Sequence, residues 1–176
     1  MGVRGGRTAA RIMGIEMELE PALVLRWLHI IGATVLLGTG AGIAFFMVMA
    51  HRTRDPHLIA HTAGIVVIAD WLFTATAVLA QPVTGLFLAR ELGWPLSESW
   101  IVTSIALDLL VGAFWLPVVW IQHRLRDLAR EAAACGARLP AAYDRLFAIW
   151  FACGFPAFAA VLTILWLMVA RPVLWS

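Results

Sequence analysis

The stretch WLHIIGATVLLGTGAGIAFFMVMA, Trp27 to Ala50, contains no Asp, Glu, Lys or Arg. As a helix rising 1.5 Å per residue it is long enough to cross the roughly 30 Å of hydrocarbon in a bilayer. Three further uncharged runs follow it, Trp71 to Ala89, Leu109 to His123 and Leu146 to Ala170. Each is brought to crossing length by its flanks. The chain therefore reads as all-α, a polytopic membrane protein built as a four-transmembrane-helix bundle. One domain covers residues 21–176 behind an N-terminal tail of residues 1–20.

The composition points the same way. Of 176 residues, 62% are hydrophobic and 14% charged, and the mean hydropathy of +0.87 lies outside the range of water-soluble domains. All thirteen basic residues are arginine. With no lysine, Schiff-base chemistry is excluded. The net charge of +2 is spread over loops between the apolar runs, which makes it a topology signal rather than a nucleic-acid footprint. Cys135 in a loop and Cys153 inside the fourth run fall at different depths, so no structural disulfide is expected. The sequence carries no HExxH, phosphate-binding glycine loop, nucleophile elbow or Cys/His metal spacing, and no catalytic residue is assigned.

Local signals set the helix ends. Pro21 is a favourable first-turn residue after Glu16, Glu18 and Glu20, and Pro140 opens the last helix as Arg171-Pro172 closes it. Helices are expected over about 21–50, 57–90, 97–134 and 140–171. The second is longer than one crossing, so it should tilt, extend beyond the lipid or bend at Pro82. The third should bend near Pro117 and continue as an amphipathic stretch to Gly136. Pro156 interrupts the fourth.

Arginines in short loops resist translocation. The loop between helices one and two carries Arg52 and Arg54, and that between three and four carries Arg124, Arg126, Arg130, Arg138 and Arg145, whereas the middle loop sets Arg90 against Glu91 and Glu98. The two basic loops are expected in the cytoplasm of a bacterial inner membrane, with both termini outside. Arg4, Arg7 and Arg11 in the tail conflict with that, and initiation at Met13 or Met17 would remove them. No cleavable signal peptide is expected, because the first apolar run is too long for one. Trp27, Trp94, Trp100 and Trp175 fall near the outer ends and Trp120 near an inner end, the headgroup-level positions that indole rings favour.

Ionisable residues inside a span are costly and are functional candidates by default. His29 comes first, about 10 Å below the start of its helix at 1.5 Å per residue. Gly32, Ala33, Leu36 and Gly40 follow it on a face of small residues. Two readings fit that face. In one, His29 is an axial ligand of haem b, opposite Met168, Gln81 or an open position. In the other, the Gly38-x-x-x-Gly42 spacing allows close helix contact while His29 hydrogen-bonds across it.

Asp70 and Asp108, in helices two and three, must point into the bundle. Asp70, Thr74, Ala77 and Gln81 share one helical stripe, and Ser104, Asp108, Gly112 and Trp115 share another. Asp108 at the depth of His29 could hold its tautomer, or the two could form a static pair. His51, His57, His61 and His123 map to the basic edge as interface histidines or a second ligand site.

Leu28-His29 with Gly32-Ala33, Thr84-Gly85-Leu86, Gly93-Trp94-Pro95-Leu96, Trp115-Leu116-Pro117, the linker Arg124 to Arg138 before Leu139-Pro140-x-x-Tyr143, and Leu165 to Pro172 occur in order along the chain. Together they resemble the bacterial predicted-integral-membrane family catalogued as domain of unknown function 2269, over roughly Leu23 to Pro172. A more distant likeness is to HemJ-type protoporphyrinogen oxidases and CopD-type copper-resistance proteins, four-helix membrane proteins with an early Leu-His pair. The HemJ likeness implies haem binding at His29. It also implies a lysine early in helix three, where this chain has Thr103 and Ser104, which argues against protoporphyrinogen oxidase activity.

Two functions follow as expectations. One is haem b at His29 serving electron transfer or a membrane redox complex, alongside other subunits or further copies of the chain. The other is a non-redox transporter or accessory subunit in which buried Asp70 and Asp108, with Gln81, bind protons, ions or a partner helix.

Overall fold

The computed structural model describes residues 20–175. Residues 1–19, with the expectation about Met13 and Met17, lie outside the described residues, as does Ser176. Four helices account for nearly all the rest: α1 Pro21–Thr53, α2 Pro56–Glu91, α3 Ser99–Ala134 and α4 Ala141–Ala170. Each is long and apolar enough to cross a membrane. The chain is a multi-pass integral membrane protein, and its ends agree with the expected ones to within a few residues.

The caps explain those ends. Pro21 occupies the first turn of α1, and Arg54 closes it in the left-handed region at φ 56°. Asp55 then accepts a hydrogen bond from the His57 backbone N–H at 2.8 Å, capping α2 ahead of Pro56. Pro140 precedes α4, and Arg171 ends it at φ 45°. Gly93 and Gly136, at φ 68° and 61°, supply the reversals after α2 and α3 at little steric cost.

The chief departure from the expected helices lies inside α2. Pro82 is accommodated within helix, and the irregularity falls earlier, where Asp70–Thr74 form a π-helical turn. A π turn widens the helix by one residue and frees backbone and side-chain positions, and such turns recur at functional sites.

The packed core is concentrated at the basic end. Met47, Ile59, Leu125 and Tyr143, one from each helix, are fully enclosed there with Phe147, Trp150 and their neighbours. The opposite end holds a smaller cluster of Ala89, Trp100, Ile101 and Leu167. Large apolar side chains such as Leu79 and Leu109 stand 72% and 70% exposed on the outer faces. Around a bundle in lipid they are solvated by acyl chains.

Helix pairing is uneven. Helix α3 packs along α4 and along the first half of α2, and α1 packs along α2, but α1 meets α4 only lightly. Two contacts close the basic end of that gap. Arg54 forms an ion pair with Asp144, and the His51 ring stacks on Phe147 at 3.7 Å between centroids, 5° from parallel. At the other end Arg171 lies over the rings of Trp94 and Trp100, at 5.1 and 6.0 Å.

Candidate functional site

His29 lies in the seam between α1 and α2. Its Nδ1 is 2.9 Å from Thr84 Oγ1, and the Thr84 hydroxyl donates to the Ala80 carbonyl at 2.7 Å. Its single proton being directed there, the hydroxyl accepts from His29 Nδ1–H. The ring packs so closely on α2 that a Cβ at Gly85 would come within 3.2 Å of Cε1. One turn on, Gln81 Nε2 donates to the His29 carbonyl at 3.0 Å, and its amide occupies the space that a side chain at Gly32 would need. Gly32 and Gly85 thus let α1 and α2 approach while His29, Gln81 and Thr84 bond across. The second reading of His29 describes this seam, with different partners.

The expected contact with Asp108 is replaced by Thr84. Asp108 is half-buried on α3, with no hydrogen bond to His29. Met168 packs with Ala89, Trp100, Ile101 and Leu167 in a separate cluster. A haem ligand must aim a ring nitrogen at an iron at the centre of a macrocycle. Thr84 takes up Nδ1 of His29, which leaves Nε2 as the nitrogen that a ligand would use, and Met168 packs in the separate cluster.

The glycine spacing also behaves differently from expectation. A Cβ at Gly38, Gly40 or Gly42 would meet nothing within 4 Å. In place of a tight helix contact, the space beside Gly40 is a cavity of about 360 Å³, within the range of about 300–1,000 Å³ typical of small-molecule sites. It is lined by Leu36 to Ala44 on α1, Asp70 and Thr74 on α2, Val111 to Gln122 on α3 and Trp150 to Val161 on α4. These segments fall near the middle of all four helices, so the cavity lies at the centre of the bilayer span.

Its walls are almost entirely apolar, and most of the few polar groups on them are unsatisfied. Asp70 is 3% exposed. Trp115 Nε1 donates to its Oδ1 at a long 3.4 Å, and Oδ2 has no partner. Thr74, Gln122 and Trp150 line the same cavity; Gln122 Oε1 and Trp150 Nε1 are buried without a partner, and the Thr74 hydroxyl lies beside the Asp70 carboxylate. Most helical hydroxyls are satisfied within their own helix. Those of Thr34, Thr76, Thr84, Thr103, Ser104 and Thr163 all return to a carbonyl of the preceding turn. A buried polar atom without a partner costs about 1–3 kcal/mol; Asp70, Gln122 and Trp150 bring three such atoms to residues around this one space, while His51 Nδ1 and Tyr143 Oη are unpartnered at the basic end.

Of the residues singled out from sequence, Asp70 belongs to this cavity and Gln81 to the α1–α2 seam. Gln122 and Trp150 were missed. Gln122 was detectable as an amide within an uncharged run, whereas an indole in the fourth run gives no such signal. His57 and His61 are exposed, His123 bonds through Nδ1 to the Val119 carbonyl at 2.8 Å, and His51 stacks on Phe147. Among the described residues no group of three or more His, Cys, Asp and Glu is placed to hold a metal ion.

A family model described as predicted integral membrane protein (DUF2269) matches residues 23–172, from the start of α1 to just past the end of α4. No curated protein and no solved structure matches the chain.

Proposed function

The chain belongs to the DUF2269 family of predicted integral membrane proteins, and on that premise we propose that it binds a small lipid-soluble molecule in its midplane cavity. Asp70 is the polar anchor. The protein holds or passes on that molecule as a non-redox carrier or accessory subunit, with its basic loops in the cytoplasm and its termini outside a bacterial inner membrane.

One observation carries the reading. Asp70, Gln122 and Trp150 line one apolar cavity of about 360 Å³, and Asp70 Oδ2, Gln122 Oε1 and Trp150 Nε1 have no partner. A ligand with an apolar body and a polar end would satisfy these atoms and fill the space. Entry needs no aqueous channel. Ala41 and Phe155 line the cavity and are exposed to the outside of the bundle, where α1 and α4 barely touch. A hydrophobic molecule can reach Asp70 sideways from the lipid. Asp108 does not line this space and has no part in the proposal.

The test is extraction of small molecules from protein purified into nanodiscs, comparing the wild type with Gly40→Leu. A side chain at position 40 starts into open space, since a Cβ there meets nothing within 4 Å, and Gly40 lines the cavity. A lipophilic compound retained by the wild type and lost from the variant is expected. Identical extracts overturn the reading. So does a Soret band in protein from haem-replete cells that disappears in a folded His29→Ala variant, because it would return the site to His29.

A further inference from the structure

Resting on the cavity reading, we infer that the ligand is a lipophilic amine bound as its ammonium ion, with the cationic head at Asp70 and the apolar body against the aromatic wall. The inference depends on the sign and number of the groups left open. Of the four buried polar atoms, Asp70 Oδ2 and Gln122 Oε1 are acceptors, and the Thr74 hydroxyl, a donor as well as an acceptor, lies beside the Asp70 carboxylate. The fourth, Trp150 Nε1, is a donor, and the other nearby indole N–H, that of Trp115, already points to Asp70 Oδ1. An end group that donates several hydrogen bonds therefore matches the cavity better than one that accepts them. A primary ammonium offers three N–H donors and no acceptor.

Charge leads to the same class. A carboxylate at mid-bilayer depth is tolerated when it meets a counter-charge. Among the described residues the ion pairs are Arg54–Asp144 and Arg126–Asp127, both near the basic end, and no arginine lines the cavity. His123 is near enough to act on Asp70 electrostatically, but its Nδ1 is turned to the Val119 carbonyl, and a cationic ligand would add a counter-charge at Asp70 itself. The walls suit a cation as well, because Phe114, Trp115, Trp150, Phe151, Phe155 and Phe158 surround the space, and ring faces attract ammonium groups most strongly where water is excluded.

Adamantylamine and adamantanol share one compact cage and differ in whether the end group is charged. Binding of each to the protein in nanodiscs is measured by titration calorimetry, with Gly40→Leu as the blocked control. The amine is expected to bind at least about tenfold more tightly than the alcohol, as a charge-assisted bond should. That preference should vanish in Asp70→Asn and persist in Asp70→Glu. Equal binding of amine and alcohol by the wild type overturns the charge assignment and leaves the cavity reading intact. Binding of neither overturns the cavity reading itself. The wild-type comparison decides between these outcomes even if Asp70→Asn does not fold.

Discussion

The His29 imidazole donates through Nδ1 to Thr84 Oγ1 at 2.9 Å, across a seam where Gly85 leaves room for the ring. A histidine held in this way is an interhelical tie, and its energetics follow from the single bond. Thr84→Val keeps the shape and removes the acceptor, and is expected to destabilise the bundle by about 1 kcal/mol. Because both members of the pair share one interaction, Thr84→Val and His29→Ala should be non-additive in a double-mutant cycle, as coupled neighbours are. Unfolding in mixed micelles measures this. Additive losses would show that the two side chains act independently.

The glycines separate into two classes with opposite predictions. At Gly40 an added Cβ meets nothing within 4 Å. Gly40→Ala should therefore stabilise the helix by about 0.5–1 kcal/mol through lost freedom of the unfolded chain. At Gly32 the Gln81 amide stands in the way, so Gly32→Ala must displace the bond from Gln81 to the His29 carbonyl and should lower stability. The pair of melting temperatures checks this, with the two shifts of opposite sign.

How much of this was legible in the sequence depends on the range of the interaction involved. The four spans and their ends are local properties of charge-free runs and of Pro21, Pro56, Pro140 and Gly136, and they could be read directly. Asp70 could also be read, because a carboxylate in an apolar run has few alternatives to facing inward. What could not be read is which helix faces meet. Gly38, Gly40 and Gly42 have the spacing of a contact motif, yet they border open space, while Gly32 and Gly85, with no shared motif, make the close approach. The partner of His29 turned on that register, which is why Thr84 rather than Asp108 faces it. Trp150 joined the site for the same reason: its indole is polar at a single atom, and only the packing of α4 shows where that atom lies.

Core and lipid faces should respond differently to the same truncation. Leu125 is fully enclosed at the basic end, and Leu109 is 70% exposed on the same helix. Leu125→Ala is expected to cost about 2–5 kcal/mol, the range for buried leucines whose surroundings cannot collapse. Leu109→Ala gives up contacts that lipid replaces, and should cost well under half as much. Equal losses would mean that α3 is turned differently about its axis.

The ion pair at the basic end should contribute little despite its position between α1 and α4. Arg54 and Asp144 side chains are 58% and 47% exposed, and a pair that wet is worth at most about 1 kcal/mol. Arg54→Gln is therefore expected to shift stability by less than that amount, with the shift shrinking as salt rises. The stacked His51 and Phe147, beneath it in the packed core, should matter more. Phe147→Ala is expected to cost about 3–5 kcal/mol. A chemical denaturation series at two salt concentrations distinguishes the two contributions.

Asp70 provides the strongest test, because stability and function should move in opposite directions there. In the ligand-free protein Oδ2 has no close partner, Oδ1 has the 3.4 Å bond from Trp115, and the Thr74 hydroxyl lies beside the carboxylate. A buried polar atom in that condition costs about 1–3 kcal/mol. Replacing it with an apolar side chain of similar size relieves the cost, offset by the loss of one long bond to a half-buried indole and of the Thr74 contact. Asp70→Leu is therefore expected to leave the ligand-free bundle as stable as the wild type or more stable by about 1 kcal/mol, while ligand retention is lost. A folded Asp70→Leu protein less stable than wild type by more than about 1 kcal/mol would mean that the carboxylate is already satisfied without a ligand, and the cavity would lose its principal anchor.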